Sequence, residues 1–327
     1  MRRSHWLYRG ISAIAVFACL GIVAGGALGA EEPNGATEAT KRSHAALLKV
    51  LPFNDRQDFS DAERGLVARP AKAIIHDSAG NVVWDMSQYD FLSGDAPIDT
   101  INPSLRRQAA LNNSQGLFKV TDRIYQVRGY DLANLGIVIG ETGYIIIDPL
   151  TTVATTKAAM DLVYGHVGKK PIVAVLYSHS HADHWAGVKG LVAAEAVLAG
   201  KVRIIAPVRF MEEAVSENIL AGNAMIRRGQ YMHGALLPRG PRGQVDAGLG
   251  KSLPRRLDAS LIQPTDLVSR TGQEITVDGV RIVFQHTPGT EAPANMNFYF
   301  PQFRALFMAD NCVGSLHNLL TPRGAPV

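Results

Sequence analysis

The sequence predicts a mixed α/β fold, and three observations carry that reading. Four β-prone runs follow one another closely from Gly116, at Leu117 to Val120, Ile124 to Val127, Leu135 to Ile139 and Gly143 to Ile147. A helical stretch, Thr155 to Tyr164, then leads into a further apolar run, Pro171 to Tyr177, which is the strand, helix, strand order of an α/β unit. The β pattern returns late in the chain as Ile275 to Phe284, a hairpin about Asp278 and Gly279, and as Ala305 to Ala309.

Taken in order, the chain opens with arginines at positions 2, 3 and 9, an apolar core from Ile11 to Val23 and small residues ending at Ala30. That is the pattern of a secretory signal peptide, so residues 1–30 are expected to be removed and the product to be secreted or periplasmic. An uncleaved membrane anchor is the alternative, but the apolar stretch is short for a span of about 20 residues. No stable membrane association is expected after cleavage. Cleavage near Ala30 would leave Cys312 as the one remaining cysteine, which excludes an intrachain disulfide. The formal charge of +4 falls to about +1 without the three leading arginines, so nothing argues for a nucleic-acid partner. At 327 residues and 46% hydrophobic content the chain can bury a core.

Residues 31–115 are expected to form an N-terminal extension packed on the catalytic domain. Glu31 to His44 is polar with Pro, Gly and Thr and reads as a flexible lead-in. Asn54 to Gly65 has the acidic start and glycine stop of a short helix. Ala73 to Asp85 reads as a hairpin around Ala79, Gly80 and Asn81, with His76 an ordinary strand residue. Asp99 to Asn113 suggests another helix, with Asn102 as cap and Pro103 at its first position.

Residues 116–327 hold the chemistry. The run Pro171 to Tyr177 delivers Ser178-His179-Ser180-His181-Ala182-Asp183-His184, in which three of the ten histidines fall within six residues, ahead of a helix-like segment Val188 to Leu198. On an extended chain His179 and His181 point to the same side and can reach one ion. Asp183 and His184, where the chain turns, can reach a second. Neutral imidazole and carboxylate suit zinc, and catalytic zinc sites leave a coordination position open for water. A polar loop rich in histidine by chance is the bland alternative, and the order strand, motif, helix argues against it. Downstream, Val202 to Ala206 reads as a short strand and Val208 to Ala224 as a helix. Ala221 to Gly234 and Gly243 to Gly250 read as a long glycine-containing insertion of the kind that lines sites.

The His179-x-His181-x-Asp183-His184 pattern resembles the signature of the metallo-β-lactamase superfamily, an αββα sandwich with its metal site at one edge of two sheets. Ala221 to Gly250 and the Thr290-Glu291 pair, in Gln285-His286-Thr287-Pro288-Gly289-Thr290-Glu291, are similar to the alkylsulfatases within it, which hydrolyse long-chain alkyl sulfate esters to alcohol and inorganic sulfate. The resemblance implies two zinc ions and a metal-bound hydroxide, since metal lowers the pKa of bound water from about 15.7 to about 7. It makes Glu291 the third ligand of the ion held by His179 and His181. Asp310 becomes the bridging carboxylate, where alkylsulfatases usually carry glutamate. Asp148, ending an apolar strand, becomes a brace that orients ligands without binding metal; an ordinary strand-end turn residue is the alternative.

Asp183 and Arg323 are expected in catalysis, with Arg323 offering the planar fork that oxyanions favour. His317 and Asn318 are weaker candidates for binding sulfate. His233 stands where the family usually has tyrosine, which puts sulfate contacts from that loop in doubt. His286 matches no family ligand and reads as structural. The family pattern continues past Val327 with a further histidine ligand, a dimerisation domain and a lipid-transfer-like domain. The catalytic domain is therefore expected to lack its C-terminal part, the second zinc site to be incomplete and the family's homodimer to lose its interface. Two other readings stand beside the alkylsulfatase: an inactive chain binding at most one ion, and a metallo-hydrolase of another ester class.

Overall fold

The computed structural model describes residues 34–70, 74–94, 96–255 and 258–313. The expected signal peptide, His317, Asn318 and Arg323 lie outside them. Every element named here falls in the unit Gly35–Val327.

The first element is a helix, α1 (Glu38–Val50), which corrects the expected flexible lead-in over Glu31 to His44. The Thr37 side chain accepts from the Thr40 N–H, and Lys41 pairs with Glu38 at 2.9 Å across the first turn. Good helix formers beyond the cap outweigh the polar composition from which disorder was inferred. The next elements, α2 (Gln57–Ala62), β1 (Leu66–Ala68), β2 (Ile74–His76) and β3 (Val82–Asp85), include the short helix and hairpin expected there. In α3 (Pro103–Leu111) the Asn102 side chain caps the Ser104 N–H and Pro103 takes the first position, where a missing N–H is harmless.

The long sheet then builds from β4 (Gly116–Lys119), β5 (Ile124–Arg128), β6 (Leu135–Ile139) and β7 (Tyr144–Ile147). After α4 (Val153–His166) comes β8 (Ile172–Leu176), and after α5 (Ala194–Leu198) comes β9 (Arg203–Pro207). The expected helix at Val188 to Leu198 is a 3₁₀ turn at Val188–Gly190 followed by the short α5; Ala193, extended, separates the two. Beyond β9 lie α6 (Phe210–Val215), a π-helical turn at Ser216–Leu220, and α7 (Gly222–Met232). The stretch Ala221 to Gly234, read as a loop from its glycines, is thus largely helical. Both glycines within the helix, Gly222 and Gly229, are buried.

A short edge strand, β10 (Asp266–Val268), closes the long sheet in the order β1-β4-β5-β6-β7-β8-β9-β10, antiparallel up to β7 and parallel from there. The second sheet is an antiparallel meander of β11 (Glu274–Val277), β12 (Val280–His286), β13 (Met296–Phe300) and β14 (Ala305–Phe307). The β11–β12 turn has both Asp278 and Gly279 at positive φ, 47° and 75°, as a two-residue hairpin requires. Neither β10 nor β13 was anticipated: β10 is three residues long, and β13 is framed by Pro293 and Pro301.

Alternation along the strands assigns each face. Ile145, Ile147, Ala174, Leu176 and Ile205 point inward against Val280, Ile282, Phe284, Met296 and Phe298 of the short sheet. Tyr144 and Ile146, the intervening residues of β7, meet Ala159, Met160 and Val163 of α4 on the outer face. Val175, Ile204 and Ala206 likewise meet Trp185, Val197 and Phe210. Strands buried on both faces read as continuous apolar runs, which is why β7 and β8 were legible. Among the described residues no helix is long and apolar enough to cross a membrane.

Candidate metal centre

The parallel strands β7 and β8 end side by side, and their final residues supply the site. Asp148 follows β7 directly and adopts φ 53°, with Leu150 at 56° two residues on. That reversal turns the Asp148 carboxylate toward the end of β8, where Oδ1 accepts the Ser178 N–H at 2.8 Å. Oδ2 lies 2.7 Å from Ser178 Oγ and 2.8 Å from His184 Nδ1. Ser178 has one hydroxyl hydrogen and gives it to Asp148, so its Oγ accepts from His179 Nδ1 at 2.9 Å. One buried carboxylate therefore holds an Nδ1–H on both His184 and His179 and turns both Nε2 atoms toward the site, where His179 Nε2 lies 3.0 Å from His181 Nδ1.

The motif leaves the strand extended only as far as His181, as its spacing required. Ala182–His184 is a 3₁₀ turn, tied by the His184 N–H to the His181 carbonyl at 3.1 Å. The short sheet clasps the motif from the other side. Met296 N–H donates to the Ser178 carbonyl at 2.9 Å, Ser180 N–H to the Ala294 carbonyl at 3.2 Å, and His179 bridges Asn295. This seam places the loops after β12 and β14 against the histidines. Glu291 Oε1 comes to 3.4 Å from His181 Nδ1, and Asp310 Oδ2 to 3.4 Å from His184 Nε2. Asp310 follows Ala309, a non-glycine residue at φ 45°, a conformation that persists only where surroundings enforce it.

Two donor sets result. His179, His181, Glu291 and Asp310 present ligand atoms within 4.8 Å of one another, and so do Asp183, His184 and Asp310. Asp310 belongs to both, as a bridging ligand must. The residues fit a metal on a further count. His184 Nε2 is buried and has no hydrogen-bond partner, although carboxylate oxygens of Asp183 and Asp310 stand 3.2 and 3.4 Å away. Burial alone would lower the His184 pKa, but Asp183, Asp310 and Asp148 hold it well above the ordinary histidine value. Burial raises that of Asp148, with His184 and Ser178 opposing. The cluster carries surplus negative charge, which a bound cation would offset.

The structure thus brings together Asp148, His179, His181, Asp183, His184, Glu291 and Asp310. His233 ends α7, is buried, and lies in neither donor set. His286, read as structural, is likewise in neither. Two contributors carried no signal in the sequence. Glu217 sits on the π-helical turn with Oε2 at 3.6 Å from His181 Nε2, beyond hydrogen-bond length. Ser178 was passed over as a small residue of the motif, yet it is the relay from Asp148 to His179.

A family model of the metallo-β-lactamase superfamily matches residues 128–311. The chain belongs to that superfamily. Within it the chain is similar to alkylsulfatases. It is 52% identical over 292 residues to an (R)-specific secondary-alkylsulfatase of Pseudomonas sp., covering 89% of this chain and 44% of that one. It is 47% identical over 289 residues to an alkyl/aryl-sulfatase of Saccharomyces cerevisiae, covering 88% and 45%. The solved structure of a stereoselective inverting sec-alkylsulfatase from Pseudomonas sp. superposes with a TM-score of 0.86 at 51% identity, over 90% of this chain and 46% of that chain. The chain spans about half the length of the relatives it matches. The metallo-β-lactamase fold accounts for the paired sheets and for a site at the strand ends.

Proposed function

We propose that the chain hydrolyses alkyl sulfate esters of long-chain alcohols, releasing alcohol and inorganic sulfate, with two zinc ions held by the donor sets described above. The observation that carries the reading is the convergence of Glu291 and Asp310, contributed by the short sheet, on the three histidines at the end of β8. Identity of about half with alkylsulfatases over nearly the whole described chain supports sulfate as the ester class.

What zinc supplies when bound is a water acidified to a pKa of about 7 and positive charge opposite the sulfate. The protein's own residues do the rest. Asp148, directly at His184 and through Ser178 at His179, holds the Nδ1–H of each ring and so aims both Nε2 atoms inward. Asp310 spans the two sets, and Asp183, beside His184 Nε2, is placed to take part in proton transfer. Arg323 is assigned to the departing sulfate, where a planar guanidinium can oppose developing charge on two oxygens, with His317, Asn318 and His233 as further oxyanion contacts. The leader pattern of residues 1–30 supports export to the periplasm or medium.

Sulfate release from dodecyl sulfate by the purified chain in zinc buffer tests the proposal; two bound zinc equivalents without release would refute it. A second reading is a chain holding one ion without turnover, since among the described residues the second set has three protein donors, one of them shared with the first, and metal analysis decides between them. A panel including phosphate and carboxylate esters addresses the third, a different ester class.

A further inference from the structure

Asp131, just beyond β5, is 3% exposed and takes part in none of the contacts discussed so far. Its carboxylate is saturated with donors. Oδ1 accepts the Leu132 N–H at 2.7 Å and the Thr151 hydroxyl at 2.7 Å. Oδ2 accepts the Thr151 N–H at 2.9 Å and the Thr155 hydroxyl at 3.0 Å. Three of the four donors belong to the segment that leads from Asp148 into α4.

That segment is the strained one. Asp148 and Leu150, both non-glycine, stand at φ 53° and 56°, and each such residue costs on the order of 1–3 kcal/mol unless the surroundings impose it. The near end of the turn is held by the Asp148 N–H, which donates to the Leu176 carbonyl at 3.0 Å. Its middle is held by Gly187 N–H on the Leu150 carbonyl at 2.9 Å, and by the Thr156 hydroxyl on the Pro149 carbonyl at 2.5 Å. Its far end, Thr151, is gripped twice by Asp131. The same carboxylate sits at the start of the 14-residue α4, where negative charge complements the helix dipole. Burial raises the pKa of Asp131 to about 6, while Thr151 pulls against it and the charge of Asp183 adds to the push. A buried anion next to the negatively charged site is retained at an electrostatic expense, which ordinary turn packing would not require.

We infer that Asp131 is a positioning residue for the metal site: by clamping Thr151 and Thr155 it locks the left-handed turn that aims the Asp148 carboxylate at His184 and Ser178. The inference rests on the metal-binding part of the proposed function and not on the ester class.

Zinc binding to the metal-stripped full chain, read by competition with a chromophoric chelator, tests it without turnover. Asp131→Asn is expected to weaken the weaker zinc equivalent about tenfold, as loss of an outer partner of a ligand does, while the tighter equivalent stays within about twofold. The visible band of the cobalt-loaded protein should shift. Thr155→Val, which removes one of the four donors and keeps the side chain's shape, should show the same selectivity at about threefold. Unchanged affinity for both equivalents in both variants would overturn the inference. Equal weakening of both equivalents in Thr155→Val, the variant that decides if Asp131→Asn does not fold, would also overturn it, by showing a general structural role. A wild-type chain that binds only one equivalent overturns this inference together with the two-zinc reading. Two equivalents without sulfate release defeats only the ester assignment.

Discussion

Asp148→Asn isolates what the buried carboxylate does. Asparagine tolerates φ near 53° about as well as aspartate, so the backbone is not penalised. The side chain keeps its shape, but one of its two ends becomes an NH₂ group. Placed at Oδ2, that group confronts the His184 Nδ1–H and the Ser178 hydroxyl, at 2.8 and 2.7 Å; placed at Oδ1, it confronts the Ser178 N–H at 2.8 Å. The first arrangement is relieved by moving the His184 proton to Nε2, which removes the lone pair meant for the ion. The second keeps the tautomer but replaces a charged acceptor with a neutral one. A charge-assisted hydrogen bond contributes about 1.5–3 kcal/mol, and about 1.4 kcal/mol is tenfold in affinity. Zinc affinity at the Asp183, His184, Asp310 set should therefore fall by roughly 10- to 100-fold, with a smaller loss at His179, where Ser178 intervenes. Calorimetric titration of the metal-stripped protein with zinc resolves the two events. Two equivalents bound with wild-type affinities would show that Asp148 is only a turn residue.

Glu291→Gln removes the charge nearest His181 Nδ1 and should cut the stoichiometry measured by atomic absorption from two zinc ions toward one, with the Asp183, His184, Asp310 set retained. For Asp131 the pH dependence has a definite sign. Its folded pKa of about 6 lies above the ordinary 3.8, so its titration favours the fold below about pH 4, and that contribution is lost as pH rises through about 6. About two pKa units correspond to about 3 kcal/mol; metal-free urea denaturation should show wild-type stability relative to Asp131→Asn falling by most of that amount from about pH 4 to about 7. Gly187→Ala would bring a methyl group within 2.1 Å of the Pro149 carbonyl and 2.6 Å of the Thr152 carbonyl, both backbone atoms. Overpacking of this kind costs about 1–3 kcal/mol, so thermal unfolding should shift down by several degrees.

The long sheet and the histidine motif were legible because their causes are local. Doubly buried strands leave unbroken apolar runs, and Asn102-Pro103 spells out a cap and a first turn. Glu291 and Asp310 were reached through a resemblance in motif, since nothing in their own surroundings distinguishes them from loop acids. Asp131, Ser178 and Glu217 escaped because each acts through a partner distant in sequence or through a single hydroxyl, and no spacing rule encodes such a contact. The helices α1 and α7 are hidden for the opposite reason: polar and glycine-rich composition points to loops, while the cap at Thr37 and the burial of Gly222 and Gly229 belong to helices.

The donor atoms come from both sheets, His179, His181, Asp183 and His184 from one and Glu291 with Asp310 from the other. An ion lodged among them acts as a rivet across the sandwich, and prying the layers apart requires its release. Melting temperature should then track free zinc, gaining about 2.7 kcal/mol of stability at a hundred times the dissociation constant. For this protein, scarcity of metal in its surroundings would appear as a shortened lifetime of the fold itself.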